Sequence, residues 1–570
     1  MYIVNKFIEH FLLPFCLVII CVIFYNGEYL KSTSNECPSY PKYENLNEVD
    51  ISTFSSSVFC RGSNHTDRLC HFRNLCYEPK SETFLVFHQR NSIISGVPHD
   101  RFDPALADFS SVADHNTQYF NYVDMPASAA QNFNISYIKG HSLMFKRFNP
   151  ENLMHVFHDD LLPAFLTLKE LCQFGVGMSC KDVFFTFADG RASGPYADLY
   201  NKFLSNGPLY LKSLSSKNLH CIQNVYIGLN KLTVWYHYGF KEPQGPLKKP
   251  FTGIYSVILE FRNYFIEQFN LNPKDEKPLA VLLTRKHNRK ILNENEVMKT
   301  LQMYSNLETC IMNLENHSVL EVIKIVLQSK IIVGMHGSLL VVSLFLEPNS
   351  VIIELFPFGV NPDISTPYKT FANIPGLKLI YWSWENKIRN NSVPHPEYSV
   401  EYGGIQHLPE EEQASIENSV VVPFLCCYDP VWLYRIYQDT IVDINSFTII
   451  LSNAIKELKM QISSNDELVT ETKLYPSEVQ NVSCTTISKN STLNISWDVP
   501  WNLQFMNFSS IEYEIWLQAV ESNEIQAFLM HKQIFRFSMN SSSNLYYVWI
   551  RCHVDGRIGP FNSNPFICHQ

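Results

Sequence analysis

Charge is scarce in this chain. Charged residues make up 18% of its 570 positions, against about 25% in ordinary globular proteins. The formal net charge is −10, and no block of Lys and Arg occurs. Both facts argue against a nucleic-acid partner, whose phosphates demand a dense cationic face. Several signatures are missing as well. There is no G-x-x-x-x-G-K-S/T and no G-x-G-x-x-G, which argues against P-loop and dinucleotide-binding enzymes. The cysteines form no paired C-x-x-C arms with zinc spacing. No H-E-x-x-H brings two histidines together one helical turn apart. No repeat of solenoid or propeller period is visible. What is abundant is apolar: 46% hydrophobic residues and 14% aromatics. Such a chain can bury large cores, so general disorder is excluded. Its length suggests about three or four domains.

Residues 11–25 (FLLPFCLVIICVIFY) form an almost wholly apolar run, preceded by Lys6. The run is a little short of the roughly 20 residues that span a bilayer. A cleaved signal peptide and an uncleaved signal-anchor compete here. No small-x-small cleavage site follows Tyr25, so residues 1–25 are read as a cytoplasmic tip and anchor. The remainder is expected in the secretory lumen. N-x-S/T sequons stand at Asn64, Asn134, Asn316, Asn390, Asn481, Asn490, Asn494, Asn507 and Asn540. Four of them crowd between 481 and 507, which is hard to attribute to chance. Cys16 and Cys21 lie in the apolar run, and the other thirteen cysteines would meet an oxidising compartment. Their odd number implies one free thiol or one bridge to another chain.

Residues 26–58 are polar and read as a stem. Segments 182–188, 222–228, 278–284, 330–334 and 350–355 read as buried strands. Helical stretches at 293–302, 318–328 and 338–346 alternate with them. That alternation predicts βαβ units and a parallel sheet, with ligands beyond the carboxyl ends of its strands. A polar linker is expected at 461–476. After it the pattern changes to short alternating strands at 479–484, 493–497, 511–517 and 545–552, followed by Gly559-Pro560. The L-x-I-x-W and Y-x-V-x-I-R patterns resemble a fibronectin type III sandwich over 477–570.

Three clusters could carry chemistry. In 147–162 (RFNPENLMHVFHDDLL), Asn149 and Pro150 signal a helix start. Asn152, His155 and Asp159 then share one stripe at i, i+3 and i+7. Pro163 should bend or end the helix near Asp159. The flanking residues are apolar, so polar groups on this stripe need partners or a cleft. His158 and Asp160 add metal-ligand atoms but lack metal-site spacing. In 284–294 (TRKHNRKILNE), Arg285, Lys286, Arg289 and Lys290 crowd a loop after a strand; Arg suits bidentate phosphate recognition. In 334–338 (GMHGS), Gly337 permits a tight turn into a helix capped by Ser338, whose free N–H groups would face an anion. Glu354 ends the next strand, where an acid suits ribose hydroxyls.

These clusters, in this order, resemble glycosyltransferase family 61. Its N-x-x-H-x-x-x-D is matched by Asn152, His155 and Asp159. Its R-x-x-x-R-x-I-x-N-E is matched by Arg285, Arg289, Ile291, Asn293 and Glu294. Its G-M-H-G turn is matched by Gly334, Met335, His336 and Gly337, and its later acid by Glu354. The usual continuation H-G-A-G-L departs here at Ser338 and Leu339. Within the family, the stretches ADHNTQYFNYVDMPA, WYHYGFKEPQGP, IIELFPFGVNPD and WLYRIYQDT look most like the members that extend protein O-linked mannose.

The resemblance implies a GT-B fold with two Rossmann-like halves, expected at 59–265 (acceptor side) and 266–460 (donor side). It implies an endoplasmic-reticulum membrane enzyme, single-pass type II with a lumenal catalytic part, and a homodimer as one arrangement. It implies inverting transfer of GlcNAc from UDP-GlcNAc, in β-1,4 linkage, to O-linked mannose on Ser or Thr of α-dystroglycan. We expect Asp159 as base with His155 orienting or relaying, and Asn152 and His158 at the acceptor or supporting the pair. Arg285, Arg289, His336, Gly337, Ser338 and Glu354 would hold the donor, without a metal or cofactor. The alternatives are a family 61 transferase with another donor or acceptor, and a non-catalytic lumenal binding protein.

Overall fold

The computed structural model describes residues 43–45, 54–112, 118–174, 183–240, 244–247, 253–271, 277–362, 365–419, 428–466, 474–487, 492–506, 508–520, 525–538, 545–555, 557–562 and 565–569. The expected anchor at 1–25 and the sequons Asn490, Asn507 and Asn540 lie outside them. Among the described residues no helix is long and apolar enough to cross a membrane. The chain divides into a unit ending at Ile462 and a second beginning at Ser463.

The first unit contains a ten-stranded sheet built from β1 (Tyr43–Asn45), β2 (Ser57–Arg61), β3 (Leu69–Glu78), β4 (Thr83–His88), β5 (Ile94–Ser95), β6 (Val123–Pro126), β7 (Ile135–Phe145), β8 (Val183–Phe187), β9 (Leu209–Tyr210) and β10 (Leu219–Ile227). Its main path runs β9-β8-β7-β10-β3-β2-β5. The sheet is mixed, where alternating elements predicted parallel strands. β7, β8, β9 and β10 are parallel, but β3 runs against β10, β2 and β4. The cause is connection length: short turns join β2 to β3 and β3 to β4, and short turns permit only antiparallel pairing. Cys60–Cys70 ties β2 to β3, and Cys76–Cys221 ties β3 to β10. Cys172 and the pair Cys484–Cys568 are also oxidised, while Cys310 and Cys552 are free. The expected stem also needs correction at its end. β1 pairs with β7, and Phe54 is 4% exposed, so the folded unit begins inside 26–58.

A second sheet is wholly parallel. It comprises β11 (Leu279–Leu283), β12 (Glu308–Met312), β13 (Ser329–Met335), β14 (Ser350–Phe356) and β15 (Leu379–Glu385), in the order β12-β11-β13-β14-β15. β14 is buried at every residue, as strands covered on both faces must be. The helix Val319–Val326 opens with a capping box, Ser318 and Glu321 each bonding the other's backbone. Phe157 packs edge to face on Phe261 and Phe345 and tilted on Phe265, in one core that spans both sheets' helices. Burying each such ring contributes about 1.5–3 kcal/mol.

The second unit has two antiparallel sheets. One pairs Gln480–Ile487, Thr492–Asp498 and Ile534–Ser538; the other centres on Ile511–Ala519 and Leu545–Val554. Leu545–Val554 alternates half-buried and buried residues throughout, the period of a sheet with one covered face. Leu493, Ile495, Trp497, Tyr513, Ile515 and Val548 fill the core.

Candidate active site

The first cluster folds differently from its expected form. Asn152, rather than Asn149, caps the helix; its Oδ1 accepts from Met154 N at 3.0 Å. A short α-turn, Leu153–His155, leads into a π-helical turn, Val156–Leu161, and then an α-helix, Leu162–Phe174. Pro163 therefore neither ends the helix nor leaves it regular. In the wide i→i+5 turn, the hydrogen-bonding pattern shifts ahead of the ring that cannot donate.

This turn brings three side chains into contact. His155 Nδ1 lies 2.6 Å from Asp159 Oδ2, and His158 Nδ1 lies 2.5 Å from Asp159 Oδ1. Trp235 N–H donates to His158 Nε2 at 3.2 Å, so the neutral His158 ring carries its proton on Nδ1, toward Asp159. Tyr238 OH donates to Asp159 Oδ1 at 2.9 Å. Burial, and then the charge of Asp159, hold the Tyr238 phenol well above its usual range, so it remains a donor. Behind the cluster, Tyr200 OH donates to Asp160 Oδ2 at 2.5 Å. Burial first, and the neighbouring Asp159 charge, raise the Asp160 carboxyl well above the usual range. Burial thus favours the protonated form of Asp160, which suits it poorly as a metal ligand.

The other two clusters meet across the same cleft, at the carboxyl ends of the parallel strands. Arg285 follows β11, and the His336–Gly337 turn follows β13. Gly337 has φ 151°, and a Cβ there would come within 2.6 Å of Arg289 Nη1, so glycine is what lets the guanidinium approach. Arg289 donates to the His336 carbonyl at 3.0 Å, and Arg285 reaches Ser338 Oγ at 3.4 Å. Gly337 rather than Ser338 caps the following segment, which is a 3-10 helix, Ser338–Phe345. No ion pair joins either arginine to a carboxylate among the described residues. Burial, then the like charge of Arg285, push the Arg289 guanidinium down to about 9. Burial also lowers Arg285. An anion bound here would relieve both effects.

His336 has its own carboxylate. Its Nδ1 lies 2.6 Å from Glu354 Oε1, while Tyr381 OH donates to Glu354 Oε2 at 2.6 Å. Ser365 Oγ stands 3.2 Å from His336 Nε2 and donates to Gln244 Oε1 at 3.0 Å. Tyr368 OH donates to the Gly337 carbonyl at 2.7 Å.

A cleft of about 700 Å³ gathers these groups. Asn152, His155, Arg289, His336, Gly337 and Ser338 line it; Asp159, His158, Arg285 and Glu354 do not. Two expectations change accordingly. Asp159, 3% exposed and bonded through both oxygens, stands behind His155 instead of facing an acceptor. Glu354, with no exposure at all, is bonded to His336 and Tyr381 instead of lying open to a ribose. The motifs also did not single out Tyr238, Tyr368, Tyr381, Ser365 or Gln244. The aromatic run around 235–240 was the one visible signal for the first of these, and its placement needs the fold.

Residues 153–353 match the family Glycosyltransferase 61; Asn152 and Glu354 fall one residue outside that span. A Takifugu rubripes protein named protein O-linked-mannose β-1,4-N-acetylglucosaminyltransferase 2 is 39% identical over 527 residues, covering 88% of this chain and 88% of its own. Proteins of that name from Mus musculus and Danio rerio are 39% and 37% identical, covering 88% and 90% of this chain and 87% and 88% of their own. Among solved structures, the FN5 domain of Drosophila Lar is similar over 17% of this chain and 96% of its own, at 17% identity and a TM-score of 0.14, too little to bear on the fold.

Proposed function

The chain belongs to the glycosyltransferase 61 family, and from that premise we propose that it is a β-1,4-N-acetylglucosaminyltransferase that extends protein O-linked mannose. The observation that carries the chemistry is the cleft, with His155 backed by buried Asp159 on one wall and Arg289 with the His336–Gly337 turn on the other. UDP-GlcNAc is an α-glycoside, so a β-product requires inversion by one in-line displacement. The mannose 4-hydroxyl oxygen bonds to the sugar C1, the bond from C1 to the phosphate oxygen breaks, and UDP leaves with the electron pair. The hydroxyl proton passes to His155, whose Nδ1 is held by Asp159; this reverses the roles expected from the motif. Asp159, His158 and Tyr238 orient the ring and stabilise its charged form. Arg289 on the cleft wall, with the buried charge of Arg285 behind it, stabilises the charge that develops on the diphosphate, the task a divalent ion performs elsewhere, so activity in EDTA is expected.

A mixed sheet and a parallel sheet, each followed in the chain by residues that line the cleft, favour a GT-B reading, at about the expected bounds 59–265 and 266–460. The alternating strands and paired sheets after 477 favour a fibronectin type III sandwich. The sequons, with disulfides such as Cys60–Cys70 and Cys76–Cys221, favour the secretory lumen; on this reading the enzyme works in the endoplasmic reticulum on an O-mannosylated glycoprotein such as α-dystroglycan. The test is incubation of the purified protein with UDP-GlcNAc and a mannosyl-threonine peptide. A β-1,4-linked GlcNAc on the mannose is expected; transfer only from another nucleotide sugar, or none, refutes the reading.

A further inference from the structure

The loop from Arg285 to Lys290 holds an unfavourable shape. Arg289 has φ 53°, a left-handed conformation disfavoured for a residue with a side chain. That conformation accompanies the contact of its guanidinium with the His336 carbonyl, 3.0 Å away. A strained backbone persists only where its surroundings over-determine it. Here the surroundings are the short strand Asp439–Thr440, part of the WLYRIYQDT stretch that the catalytic assignment leaves without a role. Lys290 N–H, immediately after Arg289, donates to Asp439 Oδ1 at 2.8 Å. Thr440 N–H donates to the Lys290 carbonyl at 2.8 Å, and Leu292 N–H donates to the Thr440 carbonyl at 2.9 Å. Lys290 Nζ and His395 Nε2 both reach Asp439 Oδ2 at 3.0 Å. Tyr398 stacks on His395 at 4.2 Å and its hydroxyl donates to the His287 carbonyl at 2.8 Å, so the loop is gripped at a second point. The Asp439 side chain is 2% exposed and does not line the cleft.

We infer that Asp439 is a positioning residue for the donor diphosphate: its carboxylate pins the residue after Arg289 and thereby aims the guanidinium across the cleft. The inference rests on reading Arg285 and Arg289 as the diphosphate site. A bare packing residue would affect fold stability and every kinetic constant alike. A clamp on the arginine loop affects affinity for the donor above all.

The full-length protein serves for the test, with UDP affinity measured by calorimetry and both substrates' kinetics measured. Asp439→Ala should raise the UDP Kd and the UDP-GlcNAc KM on the order of tenfold, the cost of about one charge-assisted hydrogen bond. The acceptor KM should stay constant and kcat should change by less than about twofold. Asp439→Asn keeps an oxygen for Lys290 N–H but loses the charge, so a rise of about threefold is expected. Unchanged UDP affinity in either variant overturns the clamp, provided Arg289→Gln binds UDP more weakly than the unmodified protein. So does an equal loss in kcat and both KM values. If Asp439→Ala does not fold, Asp439→Asn decides alone. Normal UDP binding by Arg289→Gln would instead refute the diphosphate reading, and the clamp would fall with it.

Discussion

Two histidines in this protein sit against buried carboxylates in nearly the same way. His155 Nδ1 and Asp159 are 2.6 Å apart, and so are His336 Nδ1 and Glu354. What differs is the company each pair keeps. Asp159 collects His158 and Tyr238 as further partners, with Asp160, whose burial favours its protonated form, next in the chain. Phe148 and Tyr238 pack on the His155 ring at the cleft wall. Glu354 has Tyr381 as a further partner among the described residues, and its histidine contacts Ser365 while giving its backbone carbonyl to Arg289. The first arrangement steadies one buried carboxylate behind an imidazole that faces the cleft, which suits a ring that must take up a proton. The second fixes a turn whose backbone receives an arginine. A shared motif of two residues therefore says little about role until the third and fourth neighbours are known.

The sharpest test of that contrast is His155→Ala. Turnover should fall by about 10²–10⁴-fold, the range for a lost general base, with UDP affinity retained. Near-normal turnover there, with a collapse in Asp159→Asn, would return the base role to Asp159. Glu354→Gln should act more weakly. It keeps hydrogen-bonding groups but removes the charge, so kcat/KM should drop by about tenfold and stability by about 1–3 kcal/mol, read by kinetics and denaturant unfolding. A loss matching that of His155→Ala would dissolve the distinction between the two pairs. The smallest expected effect is on stability and its pH dependence. Asp160 keeps a proton in the fold that the unfolded chain releases above about pH 4. The native state then binds more protons, so its stability falls as pH rises above that value. Asp160→Asn removes this dependence and should unfold at a higher temperature than the unmodified protein at pH 8. The gap should shrink toward pH 4, and thermal scans across that range would show it.

The sequence carried much of this by pattern. Strands expected at 278–284, 330–334 and 350–355 stand at Leu279–Leu283, Ser329–Met335 and Ser350–Phe356, because fully buried parallel strands leave continuous apolar runs. His155 and Asp159 were readable as a pair because i, i+4 neighbours meet on any helix. What pattern could not supply was orientation. Whether Asp159 or His155 faces the cleft depends on Trp235 and Tyr238, brought in from a distant segment. The mixed character of the first sheet was hidden for a similar reason. Continuous apolar runs report burial rather than direction, as in Val183–Phe187 and Thr83–His88, and only the turn lengths separate parallel from antiparallel neighbours. Glu354 was placed by analogy with open strand ends, and the tyrosine that covers it, Tyr381, comes from the adjacent strand.

The π-turn at Val156–Leu161 has a consequence for any attempt to improve this protein. Such a turn is equivalent to one surplus residue lodged in an α-helix. Deleting a residue there would give a more regular helix and rotate everything beyond the deletion by roughly 100°. A deletion between His155 and Asp159 would thus rotate the carboxylate away from the ring it now holds. Sturdiness and turnover are coupled here through helical phase, and screens that reward heat tolerance alone would select against catalysis at these six positions.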